Sequence, residues 1–312
     1  MPVSIDTREP TKTLRDPKRN LGWWVDDEGT FQKYRVSAND RREALNETDP
    51  FPDGVGEYHA LHNLGMIRIE RAGQGARLSW DVAAVERVTL DAVADRVGRG
   101  AHGAPISLNF WYGGWAREQY SDPREAVRRM LELDEFRNDP PNVMIASAEH
   151  RIQNLATAKP LLREAHARWR ESVDRRLEAF DGPFHPMSRF ALVFSESAAS
   201  GGFQYRSVGR RAHIVSYLGR DWAREVIGKP STRGHADVEF ETVISEPYFE
   251  TLRTEEPHYG HVRAVFEVHG REREWVSYQR LILPFVAANG ARAIAIMVAP
   301  DQDVSIPFPA PK

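Results

Sequence analysis

Eleven histidines and no cysteine bound the chemistry open to this 312-residue chain. Five of the histidines (His213, His235, His258, His261 and His269) fall in its last third. A haem or metal site needs an imidazole pointing into a cavity and oriented by a second group. None of the five shows a His-x-His or His-x-x-Glu-His spacing, so most are expected in solvent-facing loops. His213 is the best placed, at the start of the first helix of that region. Lack of cysteine excludes disulfides, thiolate metal sites, cysteine nucleophiles and flavin–cysteine adducts. Haem and non-covalently held flavin stay open, so the cofactor is unassigned. Ser195-Glu-Ser197 and Ser245-Glu246 lack the Gly-x-Ser-x-Gly elbow of a hydrolase. Asp26-Asp27-Glu28 reads as an acidic turn before it reads as a cation site. Glu272 and Glu274 alternate with Arg271 and Arg273 as a solvated hairpin tip would. No nucleophile is paired with a base, so neither a catalytic residue nor a metal site is assigned.

Aromatic residues carry the stronger signal. Phe203, Tyr205, Tyr217, Trp222, Tyr248 and Tyr278, together with His213, are the candidates to line a pocket for a flat, mostly apolar molecule. Filling a small core is the competing role for such rings, and for Phe240, Phe266 and Phe285 beside them. Arg206 and Arg280 fall on strands. They are expected to face water or pair with acids across the sheet, a ligand carboxylate being the other use for them. Asn109–Glu118 packs Trp111, Tyr112, Trp115 and Arg117 around a Gly-Gly break, which suits a partner-recognition surface. It is no phosphate cradle, since it lacks the Gly-rich length and the Lys-Ser/Thr continuation.

The elements that must position these residues follow from periodicity. Strands are expected at Ala191–Glu196, Gly202–Val208, His261–His269, Glu274–Phe285 and Ala291–Ala299, with helical text from about Ile214 to Arg253. Before them, Lys159–Phe180 repeats Leu162, Ala165, Trp169, Val173, Leu177 and Phe180 at steps of three or four. This narrow seam suits either a connector packed on its own domain or a homodimerising, signal-passing helix. Residues 58–150 read as a small α/β unit in the order ββαβαβ, with a hairpin across Ala72-Gly73-Gln74-Gly75. Asn142–Ser147 is expected as the last strand of that order. Residues 1–57 read as an irregular arm that sticks through Trp23-Trp24 and Phe31–Tyr34. The expected division is therefore 1–57 arm, 58–150 α/β domain, 151–182 helical connector, 183–300 sensor-like domain and 301–312 tail.

Three short motifs in the last third carry a resemblance: Tyr205-Arg-Ser-Val-Gly209, Leu218-Gly-Arg-Asp221 followed by Gly228-Lys-Pro230, and Arg280-Leu-Ile-Leu-Pro284. Over about Met187–Ala299 the text resembles the PAS-type sensor domains of alphaproteobacteria. The resemblance implies a five-stranded antiparallel sheet with helices on one face, commonly dimeric and used for signal input. The expected fold class is α+β, an α/β unit and a PAS-like unit joined by a helix. A formal charge of −3 gives no drive toward nucleic acid or anionic membrane, and no apolar run is long enough to span a bilayer. The N-terminus carries acids and prolines where a signal peptide needs an apolar segment. The chain thus reads as a cytoplasmic, non-enzymatic sensory or adaptor protein binding a small ligand or a protein partner. The alternative is a small-molecule enzyme using His213 or His261 as acid–base group. That alternative requires a histidine and a carboxylate within hydrogen-bond reach inside the cavity.

Overall fold

The structure, a computed structural model, describes residues 21–35, 55–72, 75–99, 104–139, 145–172, 174–177, 182–197, 202–231, 238–266, 272–304, 306 and 308. They group into two compact units: residues 1–112 with 117–140, and residues 113–116 with 141–312.

In the first unit β1 (Leu21–Val25) and β2 (Phe31–Arg35) form an antiparallel hairpin. Asp26 closes its turn: Oδ1 accepts from the Glu28 and Thr30 amides at 3.2 and 2.8 Å, so the acidic turn serves the backbone. This part of the presumed arm is therefore ordered sheet, with Trp24 and Val25 buried. Helix α1 (Val55–His62), β3 (Ile67–Ala72), β4 (Gly75–Asp81), α2 (Arg87–Gly98), β5 (Ile106–Trp111), β6 (Trp115–Tyr120) and α3 (Pro123–Asp134) follow. The ladder runs β2-β1-β3-β4-β5-β6, antiparallel as far as β4 and parallel between β4 and β5. Asp122 starts α3 by accepting from the Arg124 amide at 2.9 Å, and Pro123 needs no donor there. Ala126, Met130 and Leu133 then share one buried face.

The second unit contains β7 (Ile145–His150), α4 (Pro160–Glu171), β8 (Ala191–Ser197), β9 (Gly202–Val208), α5 (Val215–Glu225), α6 (Val238–Thr254), β10 (His258–Phe266), β11 (Glu274–Val286) and β12 (Arg292–Pro300). Its strands order as β7-β10-β11-β12-β8-β9, each pair antiparallel. Twelve strands are described in the whole chain, in parallel and antiparallel pairs.

This overturns the expected fold class. The five C-terminal strands fall close to their expected positions, but the sheet they join has a sixth strand and helices on both faces. The sixth strand, β7, was expected to complete the ββαβαβ unit; it pairs instead with β10, Tyr259 lying opposite His150 and Ala264 opposite Ile145. The second helical layer is the presumed connector. Leu162, Ala165 and Trp169 of α4 are buried against Leu281, Leu283, Phe285, Ala293, Ala295 and Met297 of β11 and β12. On the opposite face α5 and α6 cover Ile282, Ile294 and Ile296. The seam that suited a dimer helix is thus filled by the unit's own sheet. Val173 and Phe180 lie outside the described residues.

Polar ties hold α4 in place. The Trp169 indole N–H donates to the Pro284 carbonyl at 2.8 Å, and the Arg175 guanidinium lies 4.4 Å from the Trp169 ring. At the start of the helix the Lys159 amide donates to Gln279 Oε1 at 2.9 Å. Gln279 Nε2 donates to Asp301 Oδ2 at 2.6 Å, and Lys159 Nζ reaches Asp301 Oδ1 at 2.8 Å. Burial works against the Asp301 charge, yet Lys159, the Asp303 amide and Gln279 outweigh it and hold its carboxyl below the ordinary value. Replacing Trp169 by Ala is expected to destabilise the protein by about 3–5 kcal/mol while native mass stays unchanged. Replacing it by Phe keeps the ring and should cost only about 1 kcal/mol for the lost hydrogen bond. Denaturant melts read beside native mass check both; a change in mass with little change in stability would restore the interface reading.

Candidate functional site

Strand alternation distributes side chains between the two layers. Along β11 the odd positions Leu281, Leu283 and Phe285 enter the core under α4. The even positions Val276, Tyr278, Arg280 and Ile282 face α5 and α6. On that second face the sheet and helices enclose a cavity. Its floor is Leu192 and Phe194 of β8, Tyr205 of β9, Phe266 of β10, Tyr278 and Arg280 of β11, and Ile296 and Val298 of β12. Its roof is Ala212, His213 and Ile214 ahead of α5, Tyr217 within it, and Ile244 and Tyr248 of α6; Phe190 closes one side. The empty space is about 710 Å³ counted out through the mouth.

The rings are held by one another. Tyr217 stacks on Phe266 with centroids 5.5 Å apart, and His213 meets the Tyr217 ring edge-on at 5.0 Å. Phe194 contacts Tyr205 at 4.5 Å and stacks on Tyr248 at 5.8 Å. Local backbone explains which rings line the cavity. Gly219 sits at φ 85° and breaks α5 into two helical pieces, a conformation that residues with a Cβ rarely adopt. The break leaves Tyr217 on the cavity and turns Trp222 aside, where it packs edge-on against Tyr205 at 5.9 Å. Beyond the helix Gly228, at φ 80°, donates its N–H to the Tyr205 carbonyl at 2.8 Å, and the Tyr205 amide donates to the Lys229 carbonyl at 3.0 Å. The Gly-Lys-Pro motif therefore anchors the edge strand that presents Tyr205.

Of the seven pocket candidates, the structure brings Tyr205, His213, Tyr217, Tyr248 and Tyr278 together around the cavity. Phe203 is buried behind them against Phe194 and Tyr248, and Trp222 lies to one side. Phe285 belongs to the opposite core. The Phe240 side chain, His235 and His269 lie outside the described residues. The four partner-surface candidates do not share one exposed patch. Tyr112 is buried and donates to the Asp139 carbonyl at 2.6 Å, Trp111 meets His62 edge-on at 5.0 Å, and Arg117 is exposed. Trp115 belongs to the second unit, where its indole donates to Glu272.

Arg280 is the residue whose position the sequence misplaced. It is 2% exposed and lines the cavity instead of facing water. Its Nη1 donates to the Ile244 carbonyl at 3.2 Å, and its guanidinium lies 5.8 Å from the Tyr248 ring centroid. That carbonyl belongs to the backbone of α6. Among the described residues no acceptor reaches Arg280 Nε and no carboxylate pairs with the guanidinium. A buried cation in such a setting is costly unless something completes its shell. His213 adds a second polar atom: its buried Nε2 has no protein partner among the described residues.

The acid–base alternative needs a carboxylate beside a histidine, and among the described residues the cavity is lined by His213 and by no Asp or Glu. His261 points to the other face of β10, where Tyr259 Oη lies 3.2 Å from its Nε2 and the His150 ring is 4.2 Å away. No group of three or more His, Asp or Glu among the described residues could hold a metal ion. No helix among them is long and apolar enough to cross a membrane. No protein-family model matches the chain, and no curated protein matches it.

Among the described residues four imidazoles are held below their ordinary pKa: His213 by burial, His258 by burial and then Arg280, His261 by burial and then His150, and His166 by burial and then Arg170. Glu149 and Glu250 oppose the shift of His258, and Asp301 that of His261. The unfolded chain therefore binds protons before the folded one does. Stability present above the free imidazole value of about 6.5 is lost as pH falls through the lower folded values. The midpoint of thermal unfolding is expected to fall between about pH 7 and 5.5. His213→Gln should make that slope shallower; an unchanged slope would mean that the His213 ring is not desolvated.

Proposed function

We propose that the second unit is a receptor for a small, largely apolar molecule, in a cytoplasmic sensory or adaptor protein. The supporting observation is the aromatic cavity between one face of the sheet and α5–α6. Concave, apolar spaces with a few converging polar groups are the usual form of small-molecule sites. Arg280 and His213 supply the polar contacts that orient a guest, and the surrounding rings supply contact area.

The same strand offers a route by which occupancy is felt elsewhere. Arg280 faces the cavity, and its neighbour Gln279 faces the opposite layer, where it holds the start of α4 through the Lys159 amide and Asp301. In this proposal a guest that draws on Arg280 shifts β11, and α4 registers the shift. Such coupling requires an element with two arrangements biased from both ends. Here that element is the hydrogen-bonded start of α4, in place of a dimer seam.

A thermal-shift screen of small amphipathic compounds tests the receptor reading. Hits are expected to stabilise the wild-type protein and to lose their effect in Ile296→Trp, which fills the cavity floor. Hits that act equally on the filled variant would place binding elsewhere. For the coupling, amide hydrogen exchange across 160–171 should slow on binding in the wild type and not in Gln279→Leu; the same slowing in both would break the proposed route.

A further inference from the structure

We infer that the molecule held in this cavity is a small monocarboxylate with an apolar body, bound head-first to Arg280. The inference rests on the receptor reading and names the chemistry of its guest. A guanidinium presents donors in a planar fork that matches a carboxylate. In Arg280 one edge of that fork is taken by the Ile244 carbonyl, while Nε is buried and meets no acceptor among the described residues. Fully sealed ion sites in proteins are normally paired, and this one has no acid among the described residues lining its cavity. A carboxylate entering from the mouth would supply the missing charge and the missing acceptor together.

The remainder of the lining sets the body of the guest. Leu192, Phe194, Tyr248, Ile296 and Val298 offer it apolar contact. A doubly charged phosphate would bring one more negative charge than Arg280 can neutralise, into walls with little else to solvate it. His213 bears on the same choice. Burial keeps its ring neutral at physiological pH, so it adds a hydrogen bond and no second positive charge. Among the described residues, His258 at the start of β10 feels the Arg280 charge and is itself faced by Glu149 of β7 and Glu250 of α6, while His213 and the tyrosines lining the cavity are the other titratable groups on that side. A site with one fixed cation selects a single negative charge.

The test uses the whole protein and three matched probes: 3-phenylpropanoate, 3-phenylpropanamide and 3-phenylpropan-1-ol, titrated by calorimetry at pH 7.5. The acid is expected to bind the wild type about 10- to 100-fold more tightly than the alcohol or the amide, the worth of a hydrogen bond to a charged group. In Arg280→Met that preference should vanish while the alcohol keeps its affinity. Arg280→Lys, which keeps the charge and loses the fork, should retain part of it. If the neutral probes bind the wild type as well as the acid does, the carboxylate inference falls and the receptor reading stands. If the preference survives in a folded Arg280→Met variant, Arg280 is not the anchor and the inference is overturned. If none of the three binds, the inference fails; hits that Ile296→Trp abolishes in the wider screen would still uphold the receptor reading. Should Arg280→Met fail to fold by circular dichroism, the wild-type comparison of acid against isosteres decides alone.

Discussion

Burial of β11 on both faces is the constraint on which the second unit depends. A strand covered on one side divides its residues between core and water, whereas one covered on both sides sends alternate residues into two cores. From Tyr278 to Phe285 every residue of β11 is buried. Leu281, Leu283 and Phe285 anchor α4, and Ile282 packs under α6. Any polar residue placed on this strand is therefore committed to a dry layer. Gln279 is satisfied by Lys159 and Asp301 on one side. Arg280 is incompletely satisfied on the other, and that is where the cavity opens. Position and chemistry of the site thus follow from the layering.

Holding a cation in that layer works against stability. Replacement of buried ionic groups by apolar ones of similar size is often neutral or stabilising, so packing alone gives no reason to keep an arginine at this position. The partial shell at Arg280 is of the kind expected where recognition and stability compete. The aromatic walls contribute twice, since rings that line the cavity also interlock across it. Phe194 bridges Tyr205 and Tyr248, joining the edge strand to α6. The wall is therefore held together by its own ring contacts, an arrangement that lowers the ordering cost of the proposed binding.

Much of the second unit was legible in the residues, and the parts that were not share one cause. Strand text such as Phe203-Gln-Tyr-Arg alternates clearly, and Tyr205 and Tyr278, picked out as aromatics on strands, both reach the cavity. Arg280 was expected to face water because a single helical layer was assumed. The run Leu281-Ile-Leu-Pro-Phe-Val is continuous rather than alternating, which is the mark of a strand buried on both faces. Taken together with the seam of α4, it could have revealed the second layer. Pairing of β7 with β10 joins residues more than a hundred positions apart and leaves no local trace. The β1–β2 hairpin was hidden for a different reason: Trp23-Trp24 and Phe31 lie in text rich in polar residues, and its order comes from pairing with β3. Trp222 was misassigned because the break at Gly219 redirects the helix, something periodicity alone cannot show.

The central claim is that neighbouring residues of the inner strands face opposite layers, one closed and one open to a guest. A chain without cysteine permits a direct measurement of it. Single cysteines placed at Val298, on the cavity, and at Met297, under α4, can be treated in the native state with a small uncharged thiol reagent. The account predicts that the cysteine at 298 reacts much faster than the one at 297, although the two are adjacent in the chain. Equal rates, or faster reaction at 297, would contradict the two-layer arrangement and the site built on it.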